Sequence, residues 1–146
     1  MKKKLLILAG MFIFFQFGFS MINMEIWNGH REELLNSNIT IEEAYQKLVD
    51  ADRLGYDFYD VYLSVLLKDS DSEKLLEKVI KNSKTNAGKI VALQGMYKVN
   101  NKKYQNMKKK LHGKVTLFYG CYFGEENAKR YLEGIEPYMQ SLLESE

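Results

Sequence analysis

Apolar positions recur along most of this chain with helical rather than strand spacing. From Met21 to Asn36, Ile22, Ile26, Trp27, Leu34 and Leu35 fit an irregular helix that bends near Asn28 and Gly29. A sharper start follows. Thr40 and Glu43 have the spacing at which each side chain satisfies a free backbone donor of a first helical turn. Ile41, Ala44, Tyr45, Leu48 and Ala51 then repeat on one face until Gly55, a residue suited to the left-handed end of a helix. A second helix is expected from Asp57 to Lys68, with Phe58, Val61, Tyr62, Val65 and Leu66 inward. Ser70 and Glu73 repeat the capping pair ahead of Leu75, Leu76, Val79 and Ile80.

The next helix spans about Asn86 to Val99. On it Gly88, Ala92 and Gly95 fall at i, i+4 and i+7 and form a smooth strip. Each glycine costs a helix about 1 kcal/mol relative to alanine, so the strip predicts a close helix crossing. Asn100 or Asn101 caps a helix that shows Tyr104, Met107 and Leu111, and Gly113 closes it. Val115, Leu117 and Tyr119 then alternate with Lys114, Thr116 and Phe118, the pattern of a short extended segment at 114–119. Two short helices, Gly124 to Leu132 and Pro137 to Leu143, complete the chain. The expected class is all-α. It is either a small irregular helical bundle or an armadillo-like stack of helical hairpins, because the caps Thr40, Ser70 and Asn100 are evenly spaced.

The start of the chain is organised differently. Lys2, Lys3 and Lys4 precede an apolar run over residues 5–19, with Gly18 and Ser20 at the small-residue positions. That order is the charged, apolar, cleavable pattern of a signal peptide. The expected organisation is a signal peptide at 1–20, cut after Ser20, and a single helical domain at 21–146. An uncleaved inner-membrane anchor is the alternative, but the run is short of the roughly 20 apolar residues of a spanning helix and contains Gln16. The formal net charge of the whole chain is +2, yet the first twenty residues hold three lysines and no acid, so residues 21–146 carry −1. The basic balance is thus no argument for nucleic acid, and the expected location is the periplasm or the extracellular space.

Cys121 is the only cysteine, which excludes an intramolecular disulfide. With His112 nine residues upstream it makes a candidate for a cysteine-dependent hydrolase, set against the small buried hydrophobe that a lone cysteine usually is. Two distant histidines give no metal ligand set, and Asp69, Asp71 and Glu73 lack the glycine and terminal glutamate of a calcium loop. No phosphate-cradling glycine motif points to nucleotide, and no cofactor is expected. The strongest charge feature is Lys98, Lys102, Lys103, Lys108, Lys109, Lys110 and Lys114, with no acid between them. Read as a contact surface, Lys102 to Lys114 with Tyr104 and Tyr119 as aromatic anchors would meet another envelope protein or an anionic envelope surface. Read as an ordinary solvated helix face, it carries no function.

The segment from Gly88 to Tyr97 (GKIVALQGMY), followed by Gly120-Cys121, resembles small exported bacterial proteins of unassigned function, in which a G-K-x-x-A-L-x-G helix precedes a lysine-bearing helix and a G-C turn. The resemblance implies a shared helical packing unit and carries no catalytic residues. The expected role is a non-catalytic binding module of the cell envelope.

Overall fold

The computed structural model describes residues 28–119 and 122–144. The expected signal peptide and Cys121 lie outside the described residues. Two units are distinct, Met1–Asn38 and Ile39–Glu146. In the first, residues 28–36 form helix α1, in which His30 Nδ1 lies 3.5 Å from Glu33 and Ser37 Oγ donates to the Leu34 carbonyl.

The second unit begins with α2 (Ile41–Val49), and here the Thr40–Glu43 capping box forms as expected. The Thr40 hydroxyl accepts from Glu43 N at 3.2 Å, and a Glu43 carboxylate oxygen accepts from Thr40 N at 2.8 Å. The remaining elements are β1 (Leu54–Gly55), α3 (Tyr59–Leu67), α4 (Ser72–Asn82), α5 (Asn86–Val99), α6 (Asn101–Lys108), β2 (Lys114–Tyr119), β3 (Tyr122–Asn127) and α7 (Ala128–Glu144).

The centre of the unit is α5. Its sequence is apolar around most of its circumference, and Ala87, Gly88, Ile90, Val91, Ala92, Leu93, Gly95 and Met96 are buried. A helix of that kind needs neighbours on every side. It has them in α2, α3, α4, α6, α7 and β2. The glycine strip is where they come closest. A Cβ at Gly88 would overlap the Leu48 carbonyl oxygen at the end of α2, and one at Gly95 would sit 2.8 Å from Leu63 Cδ1 and 3.0 Å from Leu76 Cδ2. The amphipathic helix α4 turns Leu76 and Val79 inward, both fully buried and each stabilising the fold by about 1.5–3 kcal/mol relative to exposure.

The fold is mostly helical but not all-α. A three-stranded mixed sheet has the order β1-β2-β3, with the central strand β2 parallel to β1 and antiparallel to β3. The extended segment expected at 114–119 is β2, and it gains a partner on each edge. Gly55 is not a helix end. It pairs with Phe118, so close that a Cβ would overlap the Phe118 carbonyl oxygen. The helix expected at Gly124 to Leu132 is instead β3 over its first part. Residues 128–144 form one helix with Pro137 inside it rather than two.

Two starts also differ. The chain enters α3 through Phe58 in the left-handed region, φ 54°, which costs a non-glycine residue about 1 kcal/mol or more and delays the helix to Tyr59. Ser70 does not cap α4. Asp71 stands at that position without a side-chain cap: its carboxylate accepts from Lys74 Nζ, and Glu73, the acid of the expected box, is bound to Lys103 and Asn100.

The sheet is fastened to the helices at defined points. Asn86 Nδ2, at the start of α5, donates to the carbonyls of His112 and Lys114 at 2.7 and 2.9 Å. Ala128 N donates to the carbonyl of Gly113, whose φ of +85° permits the turn between α6 and β2.

Candidate functional site

Packing decides which lysines of the Lys102–Lys114 stretch remain available. Asn100 caps α6 by accepting from Lys103 N at 3.1 Å, which fixes the register of the helix. Lys103 then reaches back to α4, pairing with Glu73 and with Glu77 at 2.5 Å. The bonds from Lys103 and Asn100 hold the Glu73 carboxyl below the usual range. Lys108 pairs with Glu136 of α7 at 2.6 Å, its ammonium 5.6 Å from the centre of the Tyr104 ring. Lys114 pairs with Glu125 of β3 at 2.9 Å.

Lys102, Lys109 and Lys110 are exposed and form no ion pair among the described residues. The local sequence contains no acid, but the fold brings four to it from α4, β3 and α7. The resulting basic surface is smaller and patchier than seven lysines without an intervening acid suggest.

Tyr104 is not a surface anchor. Its side chain is fully buried, packed edge-on against Tyr97 at 5.0 Å, and its hydroxyl donates to Glu136 at 2.5 Å. Burial, the bond to Glu136 and that residue's charge push the phenol pKa far up. For Glu136, burial acts upward, but Lys108 and Tyr104 together outweigh it and leave its pKa lowered. This Tyr104–Glu136–Lys108 group ties α6 to α7.

Tyr119 is exposed, and it belongs to a surface that sequence reasoning missed. The antiparallel register places Phe118 opposite Phe123 and Tyr119 opposite Tyr122 at the turn end of the β2–β3 hairpin. Phe123 is 70% exposed and Tyr122 54% exposed. Alternation puts Phe118 and Phe123 on one face, with ring centroids 6.4 Å apart, beside Thr116 and Glu125. The Arg53 guanidinium lies 5.4 Å from the Phe118 ring centre and 3.4 Å from Asp57. On the other face Tyr119 meets Tyr56 edge-on at 6.3 Å, and its hydroxyl is 2.7 Å from that of Tyr131. Burial and this bond raise the Tyr131 phenol pKa. Five aromatic side chains, Tyr56, Phe118, Tyr119, Tyr122 and Phe123, thus stand on the surface around one strand pair whose positions are set from below. The signal was present as two aromatic pairs flanking Gly120-Cys121, the outline of a two-residue hairpin.

The His112 side chain is exposed and its carbonyl is engaged by Asn86, while the thiol half of the Cys121–His112 pair falls outside the described residues. Among the described residues no group of three His, Cys, Asp or Glu side chains is placed to hold a metal ion, and no helix is long and apolar enough to cross a membrane. The chain matches no protein-family model, and no curated protein or solved structure is significantly similar to it.

Proposed function

We propose that the chain is an exported helical protein, periplasmic or secreted, that works as a non-catalytic binding module of the cell envelope. Another envelope protein is its partner. The β2–β3 hairpin is the contact element, and the irregular helical bundle is its support. The observation that carries this reading is the exposure of four aromatic side chains in two adjacent cross-strand pairs, Phe118–Phe123 and Tyr119–Tyr122. A soluble domain seldom leaves large aromatics grouped on its surface, and aromatic residues with arginine are the enriched members of interface cores. Arg53 over Phe118 supplies the arginine. Lys102, Lys109 and Lys110 serve as outlying charges that steer an acidic partner and matter most to the rate of association.

Two variants test this in a pull-down from an envelope fraction, with anionic vesicles run alongside. Tyr122→Ser with Phe123→Ser removes two exposed aromatics at a stability cost of about 1–2 kcal/mol, because each gives up a cross-strand pair worth roughly 0.2–1 kcal/mol and some strand preference, and circular dichroism checks that the variant is folded. It should abolish retention of the partner. Lys102→Glu, Lys109→Glu and Lys110→Glu together should slow capture and flatten its salt dependence. Retention unchanged in the aromatic variant would refute the hairpin as contact element, and binding to vesicles alone would replace a protein partner by a lipid surface. Export is tested separately by sequencing the N-terminus of the protein recovered from each cell fraction. Recovery only from the cytosol with residues 1–20 attached would overturn it.

A further inference from the structure

A second place on the molecule, sharing no residue with the hairpin, has the chemistry of a ligand site. Between α6 and α7 lies a cleft of about 360 Å³. Tyr97, Asn101 and Gln105, at successive i+4 positions through the α5–α6 junction, form one wall, and Glu133, Glu136, Pro137 and Gln140 form the other. Its volume lies within the range of small-molecule pockets.

Its only charged groups are carboxylates, and its side-chain amides offer donors and acceptors alike. Glu136 is already paired with Lys108 and Tyr104. Glu133 is exposed, and no ion pair holds it among the described residues. The fold adds one more acceptor. Pro137 sits inside α7 and has no N–H, so the carbonyl of Glu133 lacks its i+4 donor. A carboxylate without a counter-charge and the side-chain amides of Asn101, Gln105 and Gln140 therefore line a cleft that also includes Tyr97, and a backbone carbonyl without its helical partner lies on the same turn of α7.

We infer that this cleft binds a guanidinium group, with Glu133 as counter-ion and the Tyr97 ring as stacking surface. A guanidinium offers five N–H donors in a planar fork that suits one carboxylate and neighbouring carbonyls together, and it stacks on an aromatic face. A neutral sugar would leave the Glu133 charge uncompensated, and an ammonium offers fewer donors without a planar face. The source is either an arginine side chain of a protein or a small free guanidine, and the same chemistry serves both.

The test titrates the full chain with an acetylated, amidated Gly-Arg-Gly peptide, with its citrulline counterpart, with agmatine and with methyl glucoside, following the side-chain amide resonances of Asn101 and Gln105. The arginine peptide and agmatine should shift these resonances in the millimolar range, as suits a single exposed charged contact, with citrulline weaker by about fivefold. Glu133→Gln should weaken both cations at least about fivefold and leave the melting temperature unchanged, because the side chain is exposed. Peptide binding tighter than agmatine assigns the site to a protein arginine, and the reverse order assigns it to a free guanidine. Citrulline binding as well as arginine, glucoside binding in preference to both, no shift at millimolar concentrations, or full binding by Glu133→Gln would each overturn the inference. None of these readouts depends on the hairpin.

Discussion

Replacing three glycines by alanine, one at a time, isolates the effect of packing from that of helix propensity. Gly88, Gly95 and Gly134 all lie inside helices, and none has a positive φ. Propensity alone therefore predicts the same gain of about 1 kcal/mol at each. The surroundings differ. Nothing stands within 4 Å of a Cβ at Gly134, so Gly134→Ala should keep the whole gain. At Gly95 the obstacles are the methyl tips of Leu63 and Leu76, which can turn aside at the low end of the roughly 1–3 kcal/mol that overpacking costs, so the net change is near zero.

At Gly88 the obstacle is the backbone carbonyl of Leu48, with Ser83 Oγ 2.6 Å away. A carbonyl held in a helix end does not turn aside, so α2 must move off α5. The cost then lies at the upper end, leaving a net loss of about 2 kcal/mol after the propensity gain. Urea unfolding followed by circular dichroism measures all three, with an unchanged denaturant slope as the sign that both end states are conserved. In thermal unfolding the expected shifts are about +4 °C for Gly134→Ala, none for Gly95→Ala and about −8 °C for Gly88→Ala. A Gly88→Ala protein as stable as the parent would refute the claim that close backbone approach, rather than chance, placed glycine there.

Tyr104→Phe removes the hydroxyl that donates to Glu136, and loss of a hydrogen bond to a charged group should cost about 1.5–3 kcal/mol in urea unfolding and raise the Glu136 pKa in a carboxyl titration. At high pH, three phenols have pKa values raised in the fold: Tyr59, pushed up to about 12 mainly by burial, with Tyr104 and Tyr131 raised too. Stability from these neutral phenols is fully present below pH 10, their unfolded value, and is lost above it. Ultraviolet titration should show the Tyr59, Tyr104 and Tyr131 phenols ionising together with unfolding, well above pH 10. On the acid side Asp50, Glu73 and Glu136 have lowered pKa values, so their contribution is full above about pH 4.5 and falls away below it, which circular dichroism across that window checks.

What the sequence conveys here depends on how local the determining interaction is. The Thr40–Glu43 box spans one helical turn, and the Gly88–Gly95 strip lies on a single helix face, so both were legible before any neighbour was known. The hairpin was not. In β3 the segment Tyr-Phe-Gly-Glu-Glu-Asn combines two aromatics with four residues of low strand preference. Its extended state comes from pairing with β2, a case of tertiary context overriding intrinsic preference. The lysine stretch failed differently. Its residues are where they were expected, but Glu73, Glu77, Glu125 and Glu136 arrive from elements distant in sequence and neutralise three of them. The α6–α7 cleft, built from residues some thirty positions apart, left no local trace either.

The parallel pairing of Leu54 with Leu117 also imposes an order of assembly. A chain emerging from the ribosome completes the helices through α5 while the companion of its two-residue first strand is still unmade. Those helices gather through short-range contacts, whereas the mixed sheet must wait for the C-terminal third and close a loop from Leu54 to Leu117. The segment that arrives last should also be the first to detach, so amide exchange should be fastest in the hairpin and slowest in α5. The aromatic surface proposed to meet a partner would then sit on the part of the protein best able to adjust when it does.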